Sequence, residues 1–171
     1  IGQSSYWLET PTEPLFPFGF GLSYTTFEYG STRIDTLPFR EGHGVGYSLS
    51  CAITNTGKTD AYEVAQLYTH QKSGYMVRPL KELKGFEKVF IPAGESRTVT
   101  FTLTEEQLGY WHEKFSITNN QSPITNNQSP ITNNQSPITA HRYFFATDAA
   151  EYELWIAPDS RCQTTPVQLT L

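Results

Sequence analysis

Short runs in which apolar and polar residues alternate constrain this chain more than any other feature. VGYSLSCAIT (45–54) and SRTVTFTLT (96–104) both follow this pattern. In an extended chain successive side chains point to opposite faces, so each run has one apolar face and one polar face. The two apolar faces carry Val45, Tyr47, Leu49, Cys51 and Ile53 in the first run, and Val99, Phe101 and Leu103 in the second. Both runs are predicted to be half-buried β-strands.

Further strand-like runs recur along the chain, with turn signals roughly every 8–12 residues. They are YTTFEYGSTRIDT (24–36), AYEVAQLYTH (61–70), LKELKGFEKVFI (80–91), LGYWHEKF (108–115), HRYFFAT (141–147), AEYELWIA (150–157) and VQLTL (167–171). The first run is predicted as one strand in which Gly30 marks a bulge. No amphipathic helix of ten residues is evident, so we predict an all-β fold with the architecture of an antiparallel β-sandwich.

The segment PLFPFGFGLSY (14–24) alternates large apolar residues with proline, glycine and serine. We predict an extended inter-domain arm over residues 1–23, followed by the sandwich over 24–171. An extended arm would carry on one face Phe16, Phe18, Phe20, Leu22 and Tyr24. Such a face can be a platform for a sugar or a seam against another domain. Because soluble proteins seldom expose so large an apolar patch, we interpret these five residues as structural docking residues.

One segment breaks the strand pattern. The heptapeptide ITNNQSP occurs three times without a mismatch, at 117–123, 124–130 and 131–137. Each copy has a single apolar residue and ends in proline, so it can form neither a helix nor a buried face. We interpret residues 117–139 as an insertion loop between two strands, which the fold tolerates because loop closure entropy grows slowly with length.

The net charge limits the classes of partner that the chain can bind, and the cysteine content bears on whether it forms a disulfide. The net charge of −5 and the pI near 5.3 argue against nucleic acid or an anionic membrane as a partner. Cys51 and Cys162 are interpreted as two buried free thiols, with a disulfide between them as the alternative. The chain starts at Ile1 and shows no signal-peptide pattern, so we expect it to be a fragment of a longer protein.

Four blocks of the sequence are informative as a set: PLFPFGFGLSYTTFEY (14–29), ITNTGKTDAYEVAQLY (53–68), RPLKELKGFEKVFIPAGESRTVTFTL (78–103) and AEYELWIAPDS (150–160). In this order they resemble the C-terminal fibronectin type III-like domain of glycoside hydrolase family 3, which contains β-glucosidases and β-xylosidases. The resemblance implies a fibronectin type III or immunoglobulin-like sandwich. It implies as partners the upstream catalytic domains of the same polypeptide, leaves a homodimer open, and suggests a secreted or periplasmic location.

The resemblance also implies that the catalytic residues lie elsewhere. Retaining enzymes of this family use an aspartate nucleophile and a carboxylic acid/base, which must sit about 5–5.5 Å apart. The best local candidates are the carboxylates of Asp60, Asp148, Glu82 and Glu87. The aspartates are expected in turns, and the glutamates in surface pairs with Lys81, Lys84 or Lys88. The four histidines, His43, His70, His112 and His141, lack metal-ligand spacing. We predict no catalytic residue, no metal site and no cofactor in this chain.

These observations favour a non-catalytic C-terminal accessory domain of a β-glycosidase that hydrolyses terminal β-linked glucosides or xylosides. Its task would be to brace the catalytic domains. Two alternatives are left open by the sequence. A carbohydrate-binding β-sandwich would stack sugars on Trp7, Trp111 or Trp155. An immunoglobulin-like adhesion or spacer domain would belong to a surface protein.

Overall fold

A computed structural model describes residues 14–40, 44–117 and 139–171. Strands dominate these ranges. The elements are β1 (Phe27–Tyr29), β2 (Arg33–Arg40), β3 (Gly44–Asn55), β4 (Ala61–Gln71), β5 (Glu82–Ile91), β6 (Ser96–Thr104), α1 (Glu105–Leu108), β7 (Tyr110–Ile117), β8 (Thr139–Ala146), β9 (Glu151–Ala157) and β10 (Val167–Thr170). All the strand pairs are antiparallel. The predicted all-β sandwich is therefore confirmed.

Two sheets form the sandwich. In the first sheet β6 pairs along one edge of β3, while β1 and then β2 pair along the other edge. In the second sheet the strand order is β10-β9-β4-β5. The third pair, β7 with β8, is a two-stranded ribbon that belongs to neither sheet. We call this pair the ribbon.

The core lies between the two sheets, where the alternating runs place their apolar faces. Leu49 and Ile53 of β3 and Leu103 of β6 are completely buried, as is Ile156 of β9 in the facing sheet. Cys51, which lies between the two β3 residues on the same face, is also in this core. Burial of each such side chain contributes about 1.5–3 kcal/mol, so the two facing layers stabilise each other.

The first predicted strand is divided in two. Tyr29 lies opposite Ile53, whereas Arg33 lies opposite Ser50, so four steps on one strand match three on β3. The amide of Gly30 donates to the carbonyl of Ala52 at 2.9 Å. The extra residue is therefore accommodated at the predicted glycine bulge, but the irregularity is large enough to separate β1 from β2.

A short helix follows β6 and had no counterpart in the prediction. Thr104 caps it, because its hydroxyl accepts from the Gln107 amide at 3.4 Å while the Gln107 side chain accepts from the Thr104 amide at 2.9 Å. This reciprocal pattern is a capping box. No helix within the described ranges is long and apolar enough to span a membrane.

The ribbon carries the heptapeptide insertion. Its register runs from Tyr110 opposite Ala146 to Ile117 opposite Thr139, so the two predicted flanking strands pair directly. The three repeat copies span 117–137, and all of their residues after Ile117, which ends β7, lie outside the described residues, as do residues 1–13 of the predicted arm and His43. The insertion therefore connects the two strands of the ribbon.

Candidate functional site

The arm is fastened to the sandwich through its backbone. The Phe20 amide donates to the Pro17 carbonyl at 3.0 Å and closes a turn in which Gly19 has φ +80°. A positive φ at the third residue is typical of a type II turn and favours glycine. A Cβ atom on Gly19 would overlap the Gln66 side chain and lie 2.8 Å from the Tyr68 hydroxyl. Glycine is therefore required here by both backbone and space.

Polar groups on the outer face of β4 hold this turn. The Gln66 side chain donates to the carbonyls of Gly19, at 3.1 Å, and of Pro158. The Tyr68 hydroxyl donates to Gln66 Oε1 at 2.6 Å and stays protonated, since burial first and nearby negative charge second raise the pKa of Tyr68 to about 12. The Ser160 amide donates to the Phe18 carbonyl at 2.9 Å. The arm, β4 and the loop 158–162 thus form one network.

An ion pair lies beside the turn. The Arg161 guanidinium donates to both carboxylate oxygens of Asp159, with the closest contact at 2.6 Å. Hydrogen bonds from Arg161 hold the pKa of Asp159 below its usual value, although burial opposes this. The same guanidinium lies 5.7 Å from the centroid of the Phe20 ring. Asp159 therefore positions a cation at the edge of the arm.

Apolar side chains of the arm lie next to an apolar area on the outer face of the second sheet. Tyr62 and Phe90 lie opposite each other on β4 and β5 with ring centroids 5.1 Å apart. Phe86 of β5 is 71% exposed. We call the combined area the docking surface; it comprises Phe16, Phe18, Phe20 and Leu22 of the arm, Tyr62 and Val64 of β4, and Phe86 and Phe90 of β5. So much exposed apolar area on one face is typical of an interaction site.

The five predicted docking residues are only partly brought together. Phe16 and Phe20 are 5.2 Å apart, which the turn makes possible. Phe18 and Leu22 are exposed, and Tyr24 is 98% exposed. The expectation of one continuous extended ladder is wrong for residues 17–20, because the Gly19 turn reverses the chain there. Their docking role stays a prediction.

Asp148 is the centre of a second, polar cluster at the base of the ribbon. Its Oδ2 accepts from the Tyr110 hydroxyl at 2.6 Å, the Gln71 side chain at 2.8 Å and the Tyr75 amide at 3.0 Å. His112 Nε2 lies 3.6 Å from the other oxygen. Burial by itself would raise the pKa of Asp148, but these hydrogen bonds hold it below the usual value. The carboxylate joins the β4–β5 loop to the ribbon.

Of the other candidate carboxylates, Asp60 and Glu82 are also engaged structurally, whereas the predicted pairing of Glu87 with a lysine is not found among the described residues. Asp60 Oδ1 accepts from the Ala93 amide at 2.8 Å in a turn, as expected. Glu82 pairs with Lys84 at 2.7 Å, which confirms one predicted pair, and also with Arg78 at 2.7 Å, which was not predicted. The remaining two lysines lie over aromatic rings: Lys81 is 2.9 Å from the Trp155 centroid and Lys88 is 4.7 Å from the Tyr62 centroid.

Cysteine and histidine positions agree with structural roles. Both Cys51 and Cys162 are buried and unpaired, the arrangement that the sequence favours over a disulfide. Burial raises the pKa of Cys162 to about 11, which makes it a poor nucleophile. His112 is 5% exposed and stacks on Tyr110 at 4.1 Å. Across the described ranges no three His, Cys, Asp or Glu side chains gather closely enough to hold a metal ion.

Sequence reasoning did not identify Glu63, a carboxylate at one end of the sandwich. Its Oε1 accepts from the Tyr29 hydroxyl at 2.8 Å. Burial raises the pKa of Glu63, and the hydrogen bond offsets this only in part. Burial, followed by the charge of Glu63, also raises the pKa of Tyr29. The pair bridges β1 and β4, and thus the two sheets, at an electrostatic cost once Glu63 is ionised.

The Glu63→Gln variant should be less sensitive to pH than the wild type. Because the pKa of Glu63 is raised by folding, its contribution to stability is fully present below the unfolded value of about 4.3 and is lost as the pH rises through the folded value. Glutamine keeps an oxygen acceptor for Tyr29 but carries no charge. Urea unfolding between about pH 4 and 7 should show that the free energy of unfolding of the variant increases relative to that of the wild type as the pH rises. If the free energies of unfolding of the two proteins changed in parallel with pH, the raised pKa of Glu63 would be contradicted.

The two described tryptophans that a carbohydrate-binding module would use lie in different environments. Trp155 is 4% exposed and packs with Tyr68, Ala157 and Cys162 on the outer side of the second sheet. Trp111 on β7 is 65% exposed. Trp7 lies outside the described residues. Of the two described tryptophans, only Trp111 offers its ring to a ligand.

Comparisons with known proteins agree with this architecture. Residues 63–119 match the family model described as the fibronectin type III-like domain. The chain is 45% identical over 100 residues to thermostable β-glucosidase B of Acetivibrio thermocellus, which covers 58% of this chain and 13% of that protein. It is 37% identical over 111 residues to the periplasmic β-glucosidase of Salmonella typhimurium, covering 65% of this chain and 14% of that protein.

A solved structure extends the match beyond the sequence blocks. The GH3 β-glucosidase of Bifidobacterium adolescentis superposes with a TM-score of 0.65 and 30% identity, over 91% of this chain and 18% of that one. In each case the chain spans less than a fifth of its relative's length. The similarity therefore covers one domain of proteins that are several times larger.

Proposed function

The chain belongs to the fibronectin type III-like domains of glycoside hydrolase family 3 enzymes, and on that premise we propose that it is a non-catalytic accessory domain of a β-glucosidase or β-xylosidase. Residues 1–23 would form the inter-domain arm and residues 24–171 the sandwich. The parent protein would hydrolyse terminal β-linked glucosides or xylosides through residues outside this chain.

The docking surface is the observation that carries this proposal. It combines the arm, where the chain enters the domain, with the outer face of β4 and β5. A partner attached through the arm is held next to this surface at a high effective concentration. We therefore assign the surface to the catalytic domains of the same polypeptide. If the docking surface instead paired with a second copy of the chain, the isolated chain would be a dimer in solution. Its measured molecular size therefore distinguishes the two assignments.

The carboxylates support a non-catalytic role. A retaining glycosidase needs two carboxyl groups facing one substrate bond across about 5–5.5 Å. Asp148 is engaged by three donors, and Glu82 by two cations. Asp159 is held by Arg161. By analogy with the periplasmic relative, the parent enzyme is proposed to act outside the cytoplasm, in the periplasm or after secretion.

The isolated chain should not hydrolyse p-nitrophenyl β-D-glucoside or p-nitrophenyl β-D-xyloside, whereas the full-length parent should hydrolyse at least one of them. Deleting the domain from the parent should lower its thermal midpoint, because the surface that the domain covers becomes exposed to water. Turnover by the isolated chain would contradict the non-catalytic assignment. An unchanged midpoint after deletion would contradict the bracing role.

A further inference from the structure

The ribbon is fixed at its base, although it belongs to neither sheet. An isolated two-stranded hairpin is only marginally stable in water, so it needs support from elsewhere. One face supplies that support: Tyr110 bonds to Asp148, and His112 stacks with Tyr110 at 4.1 Å and with Phe144 at 5.1 Å. The Arg78 guanidinium lies over the Tyr110 ring at 4.5 Å. This face of the ribbon is therefore packed against the protein at Tyr110 and His112, whereas Phe144 is still 45% exposed.

The opposite face presents two aromatic rings to solvent. Trp111 and Phe145 lie directly across from each other in the register of the ribbon, with exposures of 65% and 45%. Their centroids are 5.7 Å apart and their planes meet at 76°. Phe145 packs so closely over Gly109 that a Cβ atom there would overlap its ring. The two rings form a nearly right-angled corner that is held in place but open to solvent.

The size of this corner fits a small ligand better than a protein. An aromatic side chain buries about 150–250 Å² at most, so two of them fall short of the roughly 800 Å² per partner of a stable protein interface. None of the residues of the docking surface takes part in it. The corner is therefore separate from the proposed contact with the catalytic domains.

The chemistry of the corner fits a neutral sugar. The π face of an aromatic ring is negative and attracts the weakly positive C–H groups on the face of a pyranose. One ring of the corner can lie under that face while the other contacts the ring edge. The net charge of −5 disfavours acidic glycans. β-Linked chains of glucose or xylose present flat pyranose faces of this kind.

We propose that Trp111 and Phe145 form a stacking subsite for a neutral β-linked oligosaccharide. The subsite belongs to the surface of this chain and does not depend on the docking surface. It goes beyond the proposed accessory role, because it gives the domain a ligand of its own.

The test uses the 171-residue chain with ¹⁵N-labelled tryptophan indoles and cellohexaose as the probe. Each of the three tryptophans gives one indole N–H signal, and the signal missing in Trp111→Phe identifies Trp111. That signal should shift in a saturable way, while the signal of buried Trp155 stays in place. In Phe145→Ala, which leaves the reporter indole intact, the affinity should fall about tenfold, since one ring of the corner is lost.

Two controls separate the outcomes. Maltohexaose, an α-linked chain of the same size and composition, should shift the Trp111 signal much less than cellohexaose. Phe86→Ala removes an exposed ring from the docking surface and should leave cellohexaose binding unchanged. No movement of the Trp111 signal with cellohexaose or xylohexaose would overturn the subsite. That result would leave the accessory role standing, because the role is tested by activity and thermal stability of the parent.

Discussion

Replacing Asp148 with alanine should lower the free energy of unfolding by about 3 kcal/mol. The carboxylate accepts from Tyr110, Gln71 and the Tyr75 amide, and the substitution leaves these donors without their acceptor. Because the donors come from the ribbon and from the β4–β5 segment, both should loosen together. Urea unfolding of the chain measures the loss, and hydrogen exchange should show faster exchange in β7 and β8.

Asp60→Ala is the matched control. Asp60 also accepts one backbone hydrogen bond in a turn, from Ala93, but at an exposed position. Its loss should cost only about 0.5–1 kcal/mol. Equal losses for the two variants would contradict the role assigned to the Asp148 cluster.

The Asp148 cluster should also make the stability of the chain sensitive to acid. Because its hydrogen bonds hold the pKa of Asp148 below the usual value despite burial, its contribution to stability is present above about pH 3.9. It is lost as the pH falls through the folded value. Asp148→Asn, which carries no titrating carboxyl group, should therefore lose less stability than the wild type on acidification below that point.

The strands of the core were predictable because a strand that is buried on one face has an apolar residue at every second position of its sequence. The run at 45–54 falls inside β3, and the run at 96–104 matches β6. Leu49 and Ile53 are inward because their spacing puts them on the same side of an extended chain. The strand-like run at 61–70 was also located correctly, since β4 starts at the predicted residue, Ala61, although the middle of this strand is buried on both faces and shows no period of two.

The Asp148 cluster was not predictable from the same signal. Asp148 is 77 residues from Gln71 and 38 from Tyr110, and nothing in the local pattern of these segments indicates that they meet. The aspartate resembles any turn aspartate until the ribbon folds back on the β4–β5 loop. The tertiary structure brings these distant polar groups together, and no periodic pattern in a single sequence indicates such contacts.

Two local features could have been recognised. Gly19 follows Phe18 and Pro17 in a pattern compatible with a type II turn, yet the alternation of apolar residues suggested a continuous extended arm. Thr104 and Gln107 have the spacing of a capping box, but the helix that they cap has only four residues. At Gly19 a short-range turn prevailed over the longer periodic pattern, whereas the helix occupies the gap between two predicted strands.

The Phe86→Asp substitution should have different effects in the isolated chain and in the parent enzyme. Phe86 is 71% exposed in this chain, so a charge there should change its stability by no more than about 0.5 kcal/mol. Under a catalytic domain the ring would be buried, and removing it would cost about 1.5–3 kcal/mol in addition to the cost of desolvating a charge. The substitution should therefore lower the stability of the full-length enzyme much more than that of the isolated chain.

The thermal midpoint of Phe86→Asp, measured in the isolated chain and in the full-length enzyme, tests the docking surface most directly. Thr100→Asp, on the exposed outer face of the other sheet, is the matched control. We predict a lower midpoint for Phe86→Asp in the enzyme, corresponding to a loss of at least about 1.5–3 kcal/mol, and little change in the isolated chain or in either form of the control. Equal, small changes for both substitutions in the enzyme would show that this face is not buried against the rest of the polypeptide.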